Sequence, residues 1–344
     1  MVRSRPAWWL AVPGRFAGIE RTAARCWLAG LALALLLAAV AVPVTPPFPE
    51  FLHDAIVAAM RHGGGFYDAL HDLLRGEPDA GAARLLPPAL AATAAAIPEW
   101  AILALVAAAL TALLWIGGLR LGVLFARPAG VAMASALLAG GIAATAMLWT
   151  LAPHAAAAAI LSAIAIVARR EDRWGAACAT ACAAAIIDPA ALVTIAVMAL
   201  LALTEGARRE ARGWSVALLV AASVLAFHLW AVAGWTVVPA GEPPSVAAVP
   251  RLIAAALPGP PSTIAAPLVL LSVLGWATLT DALGPRVLAL IVAGAALDGV
   301  GGLRSATLAT ALIAPGIALA PGAIGDLARK ALDRRRITVT RIVR

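Results

Sequence analysis

Residues 53 to 76, HDAIVAAMRHGGGFYDALHDLLRG, gather three histidines, three aspartates, two arginines and a tyrosine in a chain otherwise dominated by alanine, leucine and valine. Carboxylates and imidazoles at this density can exchange protons with a bound substrate, and arginines can neutralise an anionic leaving group. Helical spacing places Asp54, Arg61 and Asp68 near the ends of two short amphipathic helices, with Phe51, Ile56, Met60, Phe66, Leu70 and Leu73 as their apolar positions. Gly63, Gly64 and Gly65 break the first helix and allow a sharp change of direction. For Asp72, Arg75, Glu77 and Asp79 a solvated helix face accounts for the charge. Asp54 is different, because it follows closely on a long apolar run and is flanked by apolar groups, where an unpaired carboxylate is costly. It needs either a partner in a structural ion pair or a task in catalysis. Positions 68, 71 and 72 share one helical face, so His62, His71, Asp68 and Asp72 can be assembled into a divalent metal site. The same spacing is common on ordinary amphipathic helices, and no metal or other cofactor is expected.

The elements that must hold this stretch are membrane helices. Hydrophobic residues make up 63% of the chain, charged residues only 13%, and the mean hydropathy is +0.94. A soluble domain is about half apolar and a quarter charged. Aromatic residues are scarce at 5%, and Ala, Leu and Val carry the hydrophobicity, which favours helices over a β-barrel. The expected fold class is all-α, a polytopic helical membrane protein. The net charge of +8 does not imply nucleic acid, because the basic residues lie in short clusters between apolar runs, the pattern of a cytoplasmic membrane side. Cys26, Cys178 and Cys182 all lie within apolar runs and read as small hydrophobes, so no disulfide framework is expected.

Residues 1–25 form a basic cytoplasmic segment with Trp8 and Trp9 as interfacial anchors, followed by an apolar run from Cys26 to Val44 that is long enough to span a bilayer. A cleaved signal peptide is the competing reading, but the basic region and the apolar run are both too long for one. The exterior loop 45–98 comes next, and its LLPPALAATAAAIPEW segment is interrupted by prolines and so lies along or dips into the surface. Further apolar runs follow at 99–118, 129–150, 154–168, 174–203, 213–238, 264–280, 286–298 and 303–324. The run 174–203 reads as two helices meeting at Asp188 and Pro189, because a single crossing would set the cluster Arg208, Arg209 and Arg212 opposite Arg169, Arg170 and Arg173. The membrane domain 26–324 then has about ten spans, several of them short, with both termini cytoplasmic. Residues 325–344 form a basic cytoplasmic tail that touches anionic headgroups. Arg61, Arg75, Arg84, Arg251 and Arg304 remain outside.

A first helix that starts in the cytoplasm, a long exterior loop with an early aspartate, and a Gly-rich segment with aromatic residues on amphipathic helices together resemble the GT-C superfamily of polytopic glycosyltransferases. The likeness is to bacterial members related to the dolichyl-phosphate-mannose-type and lipopolysaccharide-core sugar transferases. The residues that carry it are HDA at 53–55, MRHGGGFYDAL at 60–70 and RLLPPALA at 84–91. The resemblance implies transfer of a sugar from a polyprenyl-phosphate carrier to the hydroxyl of an envelope glycan or glycolipid, at the outer face of the bacterial inner membrane. Asp54 matches the family position of the general base. Arg61, Arg84 or Arg251 would hold the lipid phosphate, and His53 and Tyr67 would position hydroxyls. The expected partners are this donor, the acceptor and the lipid bilayer, and not nucleic acid. The 239–263 loop departs from the pattern, with neither tyrosine nor tryptophan for stacking a sugar ring.

A transporter would place ionisable groups or broken helices at the membrane midplane. Its candidates are His228, deep in a span, and Asp188, Asp281 and Asp298 near span ends. An assembly subunit without chemistry would suit the bland later loops, where Asp298 and Arg304 are the only charged groups of LDGVGGLRSAT. No phosphate-binding glycine loop, HExxH or CxxC pair occurs, so neither nucleotide nor zinc is expected.

Overall fold

The computed structural model describes residues 10–40, 52–76, 86–233, 248–258, 260–298 and 304–333. Fourteen α-helices order these residues: α1 (Arg21–Ala38), α2 (Leu52–Arg61), α3 (Phe66–Gly76), α4 (Ala89–Ala96), α5 (Glu99–Gly122), α6 (Pro128–Trp149) and α7 (Pro153–Ala168), then α8 (Gly175–Ile187), α9 (Leu192–Thr204), α10 (Arg208–Val232), α11 (Ala248–Ala256), α12 (Ser262–Thr278), α13 (Leu283–Leu297) and α14 (Thr310–Leu332). α1, α5, α6, α10 and the stretch Ser305–Leu332 are long and apolar enough to cross a membrane. α7, α8, α9, α12 and α13 are shorter apolar helices, and each occupies one of the remaining apolar runs. The expected division of 174–203 is present: the chain breaks at Asp188, whose Oδ1 accepts the Ala190 N–H at 2.9 Å, and Pro189 opens a 3-10 turn. Within the 239–263 loop, α11 is an additional helix that carries Pro250 in its first turn.

α14 is the hub, with 78% of its most apolar window buried, and it packs against α12, α6 and α1. Pro315 lies inside it, removing one donor from the helical ladder and crowding the carbonyl four residues earlier. The next carbonyls are handed to α12, where Trp276 Nε1 donates to Leu312 O at 2.8 Å and Ser272 Oγ donates to Ile313 O. This exchange needs the two backbones nearly in touch. A Cβ at Gly275 would stand 1.9 Å from Gly316 O, so only glycine fits there.

Both described chain ends lie on one face, since Arg21 and Arg25 donate to Ala331 O at 3.3 and 3.2 Å, and Ala11 N–H donates to Leu124 O at 2.8 Å. On this terminal face a buried ionic network joins four helices. Arg169, just past α7, makes a two-pronged contact with Glu210 of α10, at 2.9 Å through Nε and 2.6 Å through Nη2. Trp214 Nε1 donates to the same carboxylate at 3.1 Å. Glu205, after α9, accepts from Arg286 of α13 at 2.5 Å and lies 3.7 Å from Arg169. Arg169, Glu210 and Arg286 are 4%, 2% and 1% exposed, so charges that sequence reading assigns to a cytoplasmic surface are partly core. Each is tolerable only because its partners replace water.

At the opposite, loop face the helices α2, α3 and α4 lie over the ends of the bundle: α2 touches α7, α3 touches α10, and α4 contacts α8.

Removing one member of the Arg169–Glu210 pair strands a buried charge. Glu210→Ala is expected to cost about 3–5 kcal/mol, whereas the paired change Arg169→Met/Glu210→Met recovers most of that loss. Chemical unfolding in detergent micelles, followed by helical circular dichroism, measures both.

Candidate functional site

The helices of the polar stretch form a small unit with its own apolar centre. Ile56 and Val57 of α2, Phe66, Leu70 and Leu74 of α3, and Ala91 and Ala94 of α4 bury against one another. Each helix contributes one face at helical spacing, which leaves the polar faces for the loop-face surface. Gly63 turns the chain between α2 and α3 with a φ of 93°, the left-handed conformation that glycine adopts without steric cost.

On this unit Asp54 stands in the first turn of α2, where the helix dipole favours a negative charge; it is exposed, so the apolar surroundings that sequence reading expected to make an unpaired carboxylate costly are not present around it among the described residues. Among the described residues no cation lies within ion-pair distance of it. Arg61, in the last turn of α2, reaches across to the C-terminal end of α4, where its Nη2 donates to Ala94 O at 2.9 Å and to Ile97 O at 3.5 Å. That contact closes carbonyls left open by the helix end and ties α4 to α2. His62 Nδ1 lies 2.7 Å from Ala58 O and completes the end of α2.

Two ring contacts fasten the unit to the helices beneath. The His53 ring meets His154 edge to face, with centroids 4.9 Å apart and planes at 86°. His154 is buried in the first turn of α7. Tyr67 of α3 lies nearly parallel to the buried His228 of α10 at 5.8 Å and 28°, with its hydroxyl 3.4 Å from His228 Nδ1. Burial pushes the Tyr67 phenol above its ordinary value of 10.0, so at neutral pH it is a hydrogen-bond donor.

The arrangement therefore brings His53 to His154 and Tyr67 to His228, while Asp54 faces outward. Arg84 lies outside the described residues; Arg251 is on α11, with its side chain outside them. Two further acids serve backbone: the buried Asp298 Oδ1 accepts the Ala306 N–H at 3.1 Å, and the half-buried Asp281 Oδ1 accepts the Leu283 N–H at 2.8 Å while pairing with Arg120 at 3.4 Å; the buried Asp326 pairs with Arg329. Among the described residues no group of three or more His, Cys, Asp or Glu side chains converges as metal ligands would. Chemically, the loop face offers an exposed carboxylate, a phenol donor and imidazoles, which is equipment for proton transfer and for holding hydroxyl groups.

His154 escaped sequence reading although LAPH carries a signal, a histidine placed immediately after a helix-starting proline in an apolar run. His228 was visible as a lone polar group in a span, but not as the partner of Tyr67.

Tyr67 is the single tyrosine of the chain, so its titration is directly visible as tyrosinate absorbance. The expected midpoint in the folded protein lies above 10.0. Because the folded state holds this proton more tightly than the unfolded state, the associated stability is full below the unfolded value and declines as pH rises through the folded one. His228→Ala, which opens the ring contact, is expected to move the midpoint back down.

No protein-family model, no curated protein and no solved structure matches this chain.

Proposed function

We propose that this chain is a membrane glycosyltransferase of GT-C type, moving a sugar from a polyprenyl-phosphate carrier to an acceptor hydroxyl at the loop face. The observation that carries the reading is the placement of Asp54: an exposed carboxylate on an amphipathic helix docked on the loop-face ends of apolar helices. A lipid-borne donor needs such a place, where a water-facing acid lies close to hydrocarbon.

In the proposed reaction the Asp54 carboxylate accepts the proton of the acceptor hydroxyl as that oxygen attacks C1 of the sugar. The bond from C1 to the phosphate oxygen breaks, and the phosphate leaves with the electron pair. Arg84 and Arg251 are the candidates for stabilising that charge, together with the guanidinium N–H groups of Arg61 not given to α4. His53 and Tyr67, each set against a second ring from below, are suited to orient sugar hydroxyls. In this reading the chain crosses the bacterial inner membrane about ten times, with both termini in the cytoplasm and α2–α4 outside. The transporter alternative draws less support, because Asp188, Asp281 and Asp298 each accept a backbone N–H at the start of a helix or 3-10 turn.

Membranes containing the chain, supplied with a polyprenyl-phosphate sugar and a mixed envelope-glycolipid acceptor, are expected to transfer the sugar. Asp54→Asn keeps the size and helix position of the side chain, and is expected to lower the rate by about 10²–10⁴-fold. Inactivity of the folded wild type with these donors, or full activity of the asparagine variant, removes the reading.

A further inference from the structure

We propose that the turns leading into α8 and α10 form a binding site for the anionic headgroup of a phospholipid on the terminal face. The inference rests on the charges of that face and is independent of the transferase reading. Arg170 and Arg173 lie on the turn between α7 and α8, and Arg208, Arg209 and Arg212 in the first turns of α10; all five are exposed.

Two separate tethers hold these turns side by side. One is the Arg169–Glu210 pair, which fixes the residue before Arg170 to the residue after Arg209. The other is Trp174, whose ring lies against Gly213 so closely that a Cβ there would stand 2.1 Å from ring carbon Cζ3. Cys178 Sγ, donating to Gly213 O at 3.3 Å, locks α8 to α10 just beneath. The two turns that carry the arginines are therefore held together in the folded chain, and part of the cost of gathering their charges is met in folding rather than on binding.

The nearby acids leave this charge largely uncompensated. Glu210 is directed inward to Arg169 and Trp214, and Glu205 is taken by Arg286 and Arg169. Of the two exposed acids on the α7–α8 turn, Asp172 pairs with Arg173 at 3.5 Å and Glu171 follows Arg170 directly, so the net positive charge of the patch is that of Arg208, Arg209 and Arg212. Among the described residues Arg170, Arg208, Arg209 and Arg212 make no ion pair. Guanidinium forks in this number suit phosphate oxygens.

What makes the ligand a lipid is the surface next to the charge. Leu200 and Leu203 of α9 and Val216, Leu219 and Val220 of α10 are exposed large apolar side chains on the two adjoining helices. A cationic patch that ends directly on an apolar band matches a phosphate headgroup with its acyl chains, whereas a soluble anion or a nucleic acid would leave that band uncovered.

The test uses the full chain purified in a neutral detergent and mixed with dioleoylphosphatidylglycerol or dioleoylphosphatidylcholine, with retained lipids counted by native mass spectrometry. Phosphatidylglycerol is expected to be retained in preference to phosphatidylcholine. R208Q/R209Q/R212Q is expected to weaken its retention by a factor on the order of 100, and R15Q/R127Q, on the same face, to leave it unchanged. Equal retention of the two lipids, or wild-type retention by the triple variant, overturns the proposal. Displacement of the lipid by millimolar inorganic phosphate overturns the lipid assignment in favour of a soluble phosphate. Should the triple variant lose helicity, R209Q alone and a rise in sodium chloride on the wild type replace it. Both are expected to release phosphatidylglycerol selectively, and failure of both to do so also overturns the proposal.

Discussion

The two-pronged contact of Arg169 with Glu210 is the constraint on which the rest of the architecture depends. It places a full positive and a full negative charge among apolar helices, and this is tolerable only while each satisfies the other and Trp214 fills a remaining acceptor position. Together with the Arg286–Glu205 contact it makes the ends of α7, α9, α10 and α13 coincide at one level. An ionic clamp has one register.

At the opposite face the polar stretch that follows α1 folds over the ends of α7, α8 and α10. Its apolar faces close on one another, and its rings reach down to His154 and His228. The loop-face unit is thus held from both sides: by its own small core, and by two histidines on helices whose height the opposite face determines. Chemistry at Asp54 would be positioned by a clamp across the full thickness of the molecule.

Much of this was legible in the sequence where the information is local. The break at Asp188 and Pro189 follows from proline and from charge placement, and the two helices on either side of the glycines follow from spacing and from glycine itself. What stayed hidden is tertiary pairing. Arg169 and Arg286 look like any other arginines at the end of an apolar run, and the residues that bury them lie 41 and 81 positions away. The candidate site divides the same way. Asp54 and Tyr67 stand out by composition, whereas the engagement of Arg61 with α4 depends on a helix 33 residues further on. α11 was missed because the proline-rich 239–263 segment reads as loop, although Pro250, the one proline inside α11, sits in the first turn, where a helix accepts it.

The prolines of α14 have a consequence for how the protein is made. Pro315 removes the helical donor of Ala311 O, while Leu312 O and Ile313 O accept from side chains of α12, so part of the polar backbone of α14 is matched by that neighbour. It is also the most enclosed of the long helices, and it is synthesised after α1, α6 and α12, which pack around it. The enclosing helices are therefore made before the helix they enclose, and the bundle is complete only once α14 has entered among them.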